Sequence, residues 1–97
     1  MKTKTIFRTF RNTGDVIALF PEIPADRMGD FCQSYQHIGQ HGAASPMGTQ
    51  FVTMTRASTQ EEIAPLTAEL EAIGYNLLPV YRVTFAMHRA RRAAVKK

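Results

Sequence analysis

The run Val16-Ile17-Ala18-Leu19-Phe20 constrains this chain more than any other stretch. Successive side chains of a strand point to opposite faces, so five consecutive apolar residues make both faces apolar. A strand of that kind is stable inside a sheet that is covered on both sides. Asn12-Thr13-Gly14-Asp15 just before it has the residue types of a tight reversal, which makes residues 5–11 the expected hairpin partner of residues 16–20. That first strand is mixed: Ile6 and Phe10 share a face with Arg8, and Phe7 shares the other with Thr9 and Arg11. Pro21 and Pro24 are expected to stop the second strand, because proline cannot donate to a ladder.

Residues 25–42 carry two patterns. Met28, Phe31, Cys32, Tyr35 and Ile38 fall at helical spacing, but Gly29, Gly39 and Gly42 weaken a helix. A strand over residues 31–37 is favoured, with Gln33, Tyr35 and His37 on one face and Cys32, Ser34 and Gln36 on the other. A long connection from Gly39 to Gly48 then follows, and Gln50 to Arg56 alternates as a strand. Ser58/Glu61 and Thr59/Glu62 both have capping-box spacing ahead of a stripe of Ile63, Leu66, Leu70 and Ile73, closed by Gly74. Pro65 is expected to cost this helix a hydrogen bond and to kink it. Leu77 to Phe85 reads as a last strand, with Pro79 marking an edge or bulge at its beginning.

The expected fold is therefore α+β: an antiparallel sheet of four to five strands, one helix packed on one face, in the order β-β-β-β-α-β, and a basic C-terminal tail. One helix covers one face, so the other face must be solvated, covered by residues 21–48 or buried in a partner. A homodimer is one way to meet that need. Ninety-seven residues are enough for a single domain, expected over 1–87, with 88–97 as a flexible tail. No apolar run is long enough to span a bilayer, and the N-terminus has no secretion-signal pattern. With a single cysteine, Cys32, a cytoplasmic location and no membrane association are expected.

The net charge of +4 is unevenly spread. Residues 1–87 hold seven Lys/Arg against all eight acids, a net −1, whereas Arg89, Arg91, Arg92, Lys96 and Lys97 add five positive charges with no acid. A tail of this kind attracts phosphates in a salt-sensitive way, so non-specific nucleic-acid contact through those five residues is the alternative function. The body lacks a basic groove and any helix-turn-helix, zinc-finger or aromatic RNA-binding signature.

The segment Cys32 to Gly42 concentrates the chemistry. Gln33, Ser34, Tyr35, Gln36, His37, Gln40 and His41 all carry neutral side chains that donate and accept hydrogen bonds. Cys32, His37 and His41 have metal-ligand chemistry, yet a structural zinc needs four ligands and the third histidine, His88, lies in the tail. Cys32 or Ser34 beside His37 or His41, oriented by Asp30 or Glu22, would make a nucleophilic site, but no nucleophile elbow is present and Cys32 suits a small core residue better. No cofactor is implied. The residues best suited to a site are Tyr35, Gln36, His37, Gln40 and His41, binding a protein or a small polar ligand. Tyr35 supplies contact area, the amides supply direction, and the two imidazoles make binding pH-sensitive near about pH 6.5. The same residues also suit an internal polar network that fixes the loop.

Thr5-Ile-Phe-Arg8, Gly14-Asp-Val-Ile-Ala-Leu-Phe-Pro-Glu-Ile-Pro-Ala-Asp26, Ser34-Tyr-Gln-His-Ile-Gly-Gln-His-Gly42 and Glu69-Leu-Glu-Ala-Ile-Gly-Tyr75 together resemble a group of short, uncharacterised bacterial proteins. The resemblance spans most of residues 5–82. It implies a bacterial cytoplasmic protein in a plasmid, phage or conjugative-element setting, and it implies no activity. A non-enzymatic binding or accessory module is the function expected.

Overall fold

The computed structural model describes residues 2–36, 40–45 and 53–95. Strand β1 (Thr3–Phe10) and strand β2 (Val16–Pro24) form the expected hairpin, with Ile6 opposite Leu19 and Thr9 opposite Val16. Gly14 takes φ +79° in the turn, a left-handed conformation that glycine adopts without a Cβ penalty. Strand β3 (Cys32–Gln36) pairs antiparallel with β2, and strand β4 (Gln40–Ala44) pairs antiparallel with β3. On the far side, strand β5 (Thr55–Ala57) pairs antiparallel with Arg8–Phe10, and strand β6 (Leu77–Pro79) pairs parallel with Thr3–Thr5. The sheet order is β4-β3-β2-β1-β5, with β6 sharing the edge of β1 that β5 occupies.

Alternation divides the sheet into two faces. Phe7, Ala18, Phe20 and Tyr35 point one way and pack with Leu66 and Leu70 of helix α1 (Gln60–Ala72) and with Leu77. Ile6, Ile17, Leu19 and Cys32 point the other way, joined by the half-buried Phe10, Ala44, Val80 and Val83. Helix α2 (Phe85–Val95) packs on β2, and its Arg91 lies beside Cys32. The strand that is apolar on both faces is thus central and covered on both, as its composition requires.

Thr59 caps α1 with a complete capping box: its hydroxyl accepts from the Glu62 N–H, and Glu62 accepts from the Thr59 N–H. Glu62 also receives Arg56 at 2.6 and 2.8 Å and the Thr9 hydroxyl at 3.2 Å, which ties the helix start to β1 and β5.

Several expectations change. The second strand does not stop at Pro21. It continues to Pro24 through a bulge, with Phe20 opposite Gln33 and Pro24 opposite Cys32, so Pro21 to Ile23 need no ladder N–H. The connection expected from Gly39 contains β4, because the sheet supplies the partner that this weak strand former needs. Helix α1 runs through Pro65 without interruption. Of the strand expected over Gln50 to Arg56, residues 50–52 lie outside the described residues, Thr53 and Met54 are helical and the strand is Thr55–Ala57; the last strand ends at Pro79. Phe85 opens a helix instead of closing a strand, and the segment expected as a flexible tail from residue 88 is helical to Val95 and docked. The docking explains why: Arg91 is fully buried and anchors the helix to the sheet.

Gly29, with φ +74°, lies where a Cβ would stand 3.0 Å from the Arg92 Cα. Glycine is required there for both conformation and close approach, so Gly29→Ala should destabilise the fold by roughly 1–3 kcal/mol, measured by urea denaturation. Arg56 foremost, with the Thr59 N–H and Thr9, holds the Glu62 carboxyl down to about 2, below its ordinary 4.5. The folded state thus favours the ionised form. That stabilisation is complete above about pH 4.5 and is lost as the pH falls toward 2. In Glu62→Gln this acid limb of the stability–pH curve should flatten.

Candidate functional site

The hydrogen-bond pattern of β1 fixes which backbone groups of the whole sheet face outward. Thr3 N–H donates to Asn76, Thr5 C=O accepts from Val80, and Arg11 N–H donates to Met54, so the odd residues of β1 bond away from β2. Antiparallel pairing alternates inward and outward groups, and Ile6↔Leu19, Ala18↔Tyr35 and Ser34↔Gly42 carry that alternation across the sheet. At β4 it brings Gln40, Gly42 and Ala44 onto β3 and leaves the N–H and C=O of His41 and Ala43 pointing off the sheet. Among the described residues no strand pairs on that side.

The residues expected to form a polar surface separate. Tyr35 is 2% exposed, and its hydroxyl donates to Glu69 Oε2 on α1. Its ring meets the exposed His41 ring edge-on, with centroids 4.8 Å apart. Gln36 is half-buried at the end of β3, opposite Gln40. Gln33, on the α1 side of β3, donates to the Pro24 carbonyl at 3.3 Å. Ser34 is buried and stands against Gly42. Part of the polar run therefore ties β3 to β2 and α1, and of the expected site residues whose side chains are described, Tyr35, Gln36 and His41, it is His41 that is exposed. His37 lies outside the described residues.

Cys32 and His41 lie on opposite faces of the sheet, because their register partners Ala44 and Tyr35 are an odd number of steps apart along the hairpin. They do not converge on a metal, and no group of three His, Cys, Asp or Glu among the described residues does so. Burial pushes the Cys32 thiol up to about 11, which leaves it protonated and a poor nucleophile at neutral pH.

The expected phosphate-contacting set also divides. Arg91 is buried: Nε donates to the Gly29 carbonyl at 2.7 Å, Nη1 to the Pro21 carbonyl at 2.9 Å, and Nη2 contacts His88 Nδ1. Arg92 pairs with Asp30 at 2.6 Å. Arg89 remains exposed, and Lys96 and Lys97 lie outside the described residues. Arg91 is thus a structural residue and cannot reach a phosphate while α2 is docked.

A shallow cleft opens where β1 lies between β5 and β6, since Ile6 and Phe7 pair with neither strand. Phe7, Ala57, Ser58, Ile63, Val80 and Tyr81 line it. The lining holds no carboxylate, imidazole or thiol, so it offers no acid–base pair for chemistry.

Among the described residues no helix is long and apolar enough to cross a membrane. No family model, curated protein or solved structure matches the chain.

Sequence reading missed Ala43, whose backbone N–H and C=O face off the sheet, and Glu69, which holds the Tyr35 hydroxyl. Residue type gives no signal for the first. The second was visible only as a polar position on the helix stripe. Removing the hydroxyl in Tyr35→Phe should cost about 1.5–3 kcal/mol, the range for hydrogen bonds to charged groups, measured by thermal or urea unfolding.

Proposed function

We propose that this protein is a small, non-enzymatic binding module that captures an extended polypeptide segment along β4. One observation carries the reading: among the described residues nothing pairs with the outer edge of Gln40–Ala44, which presents the backbone N–H and C=O of His41 and Ala43, with no charged residue and no proline in the strand. Exposed edges in natural sheets are commonly blunted by lysine, proline or bulges. An undefended edge is the geometry of strand addition, in which main-chain hydrogen bonds supply affinity and alternate side-chain contacts supply choice.

His41 and Ala43 give the added strand one exposed side-chain face, and the His41 ring is held there by its contact with Tyr35. The partner this suits is an extended, uncharged segment of another protein or of a second copy of this chain. A cytoplasmic setting, and the bacterial mobile-element context that the sequence motifs imply, belong to the same proposal.

The test is selection from a displayed peptide library, followed by titration of an enriched peptide into labelled protein. Binding should shift the amide resonances of residues 40–44 and change little between low and moderate salt, because no charged pair is involved. Ala43→Pro removes an outward N–H without touching the β3–β4 ladder, and it should weaken binding at least tenfold, about 1.4 kcal/mol. Absence of enriched peptides, or equal binding by Ala43→Pro, would refute the reading.

A further inference from the structure

The buried end of α2 carries an unusual combination. Arg91 has no exposed surface, yet none of its recorded partners is a carboxylate: two are the carbonyls of Gly29 and Pro21 and the third is the His88 ring. A guanidinium has only N–H donors. His88 Nδ1 must therefore accept, which places the ring proton on Nε2 and requires a neutral imidazole. A protonated ring would turn donor against donor and set a second cation, on the half-buried His88, against the fully buried Arg91 guanidinium.

We propose that α2 is a pH-operated latch, held on the sheet by neutral His88 and Arg91 and released when His88 takes up a proton. The charged and titratable groups around His88 are Arg91 and Arg92 on its own helix and Asp30 in the β2–β3 loop, with the Cys32 thiol of β3 beside Arg91. Asp30 is the one acid among them, and Arg92 already engages it at 2.6 Å. Burial first, and then Arg91 and Arg92, hold the His88 imidazole below its ordinary 6.5, while Asp30 opposes them weakly. A group lowered in this way favours the folded arrangement fully above pH 6.5 and progressively less below it.

The fold makes α2 separable. It is the last described element, it forms no strand pair, and its close seat depends on Gly29. Its release would uncover the Leu19–Cys32 face of the sheet while leaving the β1–β2 hairpin and α1 packed on the other side. Cys32 is the single cysteine of the chain, so its reactivity reports that one event.

The decisive experiment is hydrogen–deuterium exchange of the full chain between pH 7.5 and 5.0, corrected for intrinsic rates, with the His88 ring titration followed by NMR. Residues 87–95 should lose at least tenfold protection below pH 6.5, with the midpoint of the His88 titration, while β1 and β2 keep theirs. Cys32 should become at least tenfold more reactive toward an acid-tolerant disulfide probe over the same interval. His88→Gln keeps an acceptor for Arg91 that cannot be protonated, and should flatten both responses. Constant protection of α2 while His88 titrates would overturn the proposal. So would loss of β1 and β2 together with α2, or an unchanged response in His88→Gln.

Discussion

The need to keep β2 dry on both faces organises this molecule. Ile17, Ala18, Leu19 and Phe20 are each at most 6% exposed, and they belong alternately to two cores that do not share a face. Full burial of each large side chain is worth roughly 1.5–3 kcal/mol, available only if something covers both sides. Helix α1 does so on one side through Leu66 and Leu70, with Phe20 stacking on Tyr75 at 4.9 Å. The chain after β6 does so on the other, where Val80, Val83 and then α2 are laid. Each remaining element follows from one of those two coverings.

Arg91 is the means by which the second covering is fastened. The bulge of β2 takes Pro21 out of register with β3, and the Pro21 carbonyl becomes the acceptor for Arg91 Nη1. Gly29, in a left-handed conformation, turns its own carbonyl to Arg91 Nε and lets the helix backbone come close. Burying a guanidinium costs several kcal/mol, which the hydrogen bonds offset only while all of them are made. That dependence makes the contact a specific lock on α2 instead of a general adhesive. It also couples the lock to the protonation of a neighbouring imidazole.

The proposed binding edge lies three strands from β1, at the other side of the sheet. Its exposure has the same origin as the rest of the fold: β2 is central, so the hairpin partner β3 needs β4, and β4 is where pairing among the described residues ends. The Tyr35–Glu69 hydrogen bond reaches from α1 to β3 and steadies the ring against which His41 rests. The edge is thus supported by the same core that buries β2, although its own residues are small and polar.

Much of this was written locally. The turn residues 12–15 and the continuous apolar run 16–20 determined the hairpin and its two-faced strand, and Thr59 with Glu62 determined the start of α1, because each depends on neighbours within a few residues. Strand β4 was not legible, since Gln40-His-Gly-Ala-Ala has no strand propensity of its own and is held by β3. Nor was the fate of the C-terminal segment: Arg91 reads as one basic residue among five, and only the carbonyls of Pro21 and Gly29, 70 and 62 residues away in sequence, turn it into an anchor. For the same reason Tyr35 and His41 looked alike as surface residues, whereas packing buried one and exposed the other. Sequence alone determined where the chain must be apolar, where it turns and where its helix begins. Tertiary structure decided which polar groups are structural and which are free, because that depends on partners brought together only when both faces of β2 are covered.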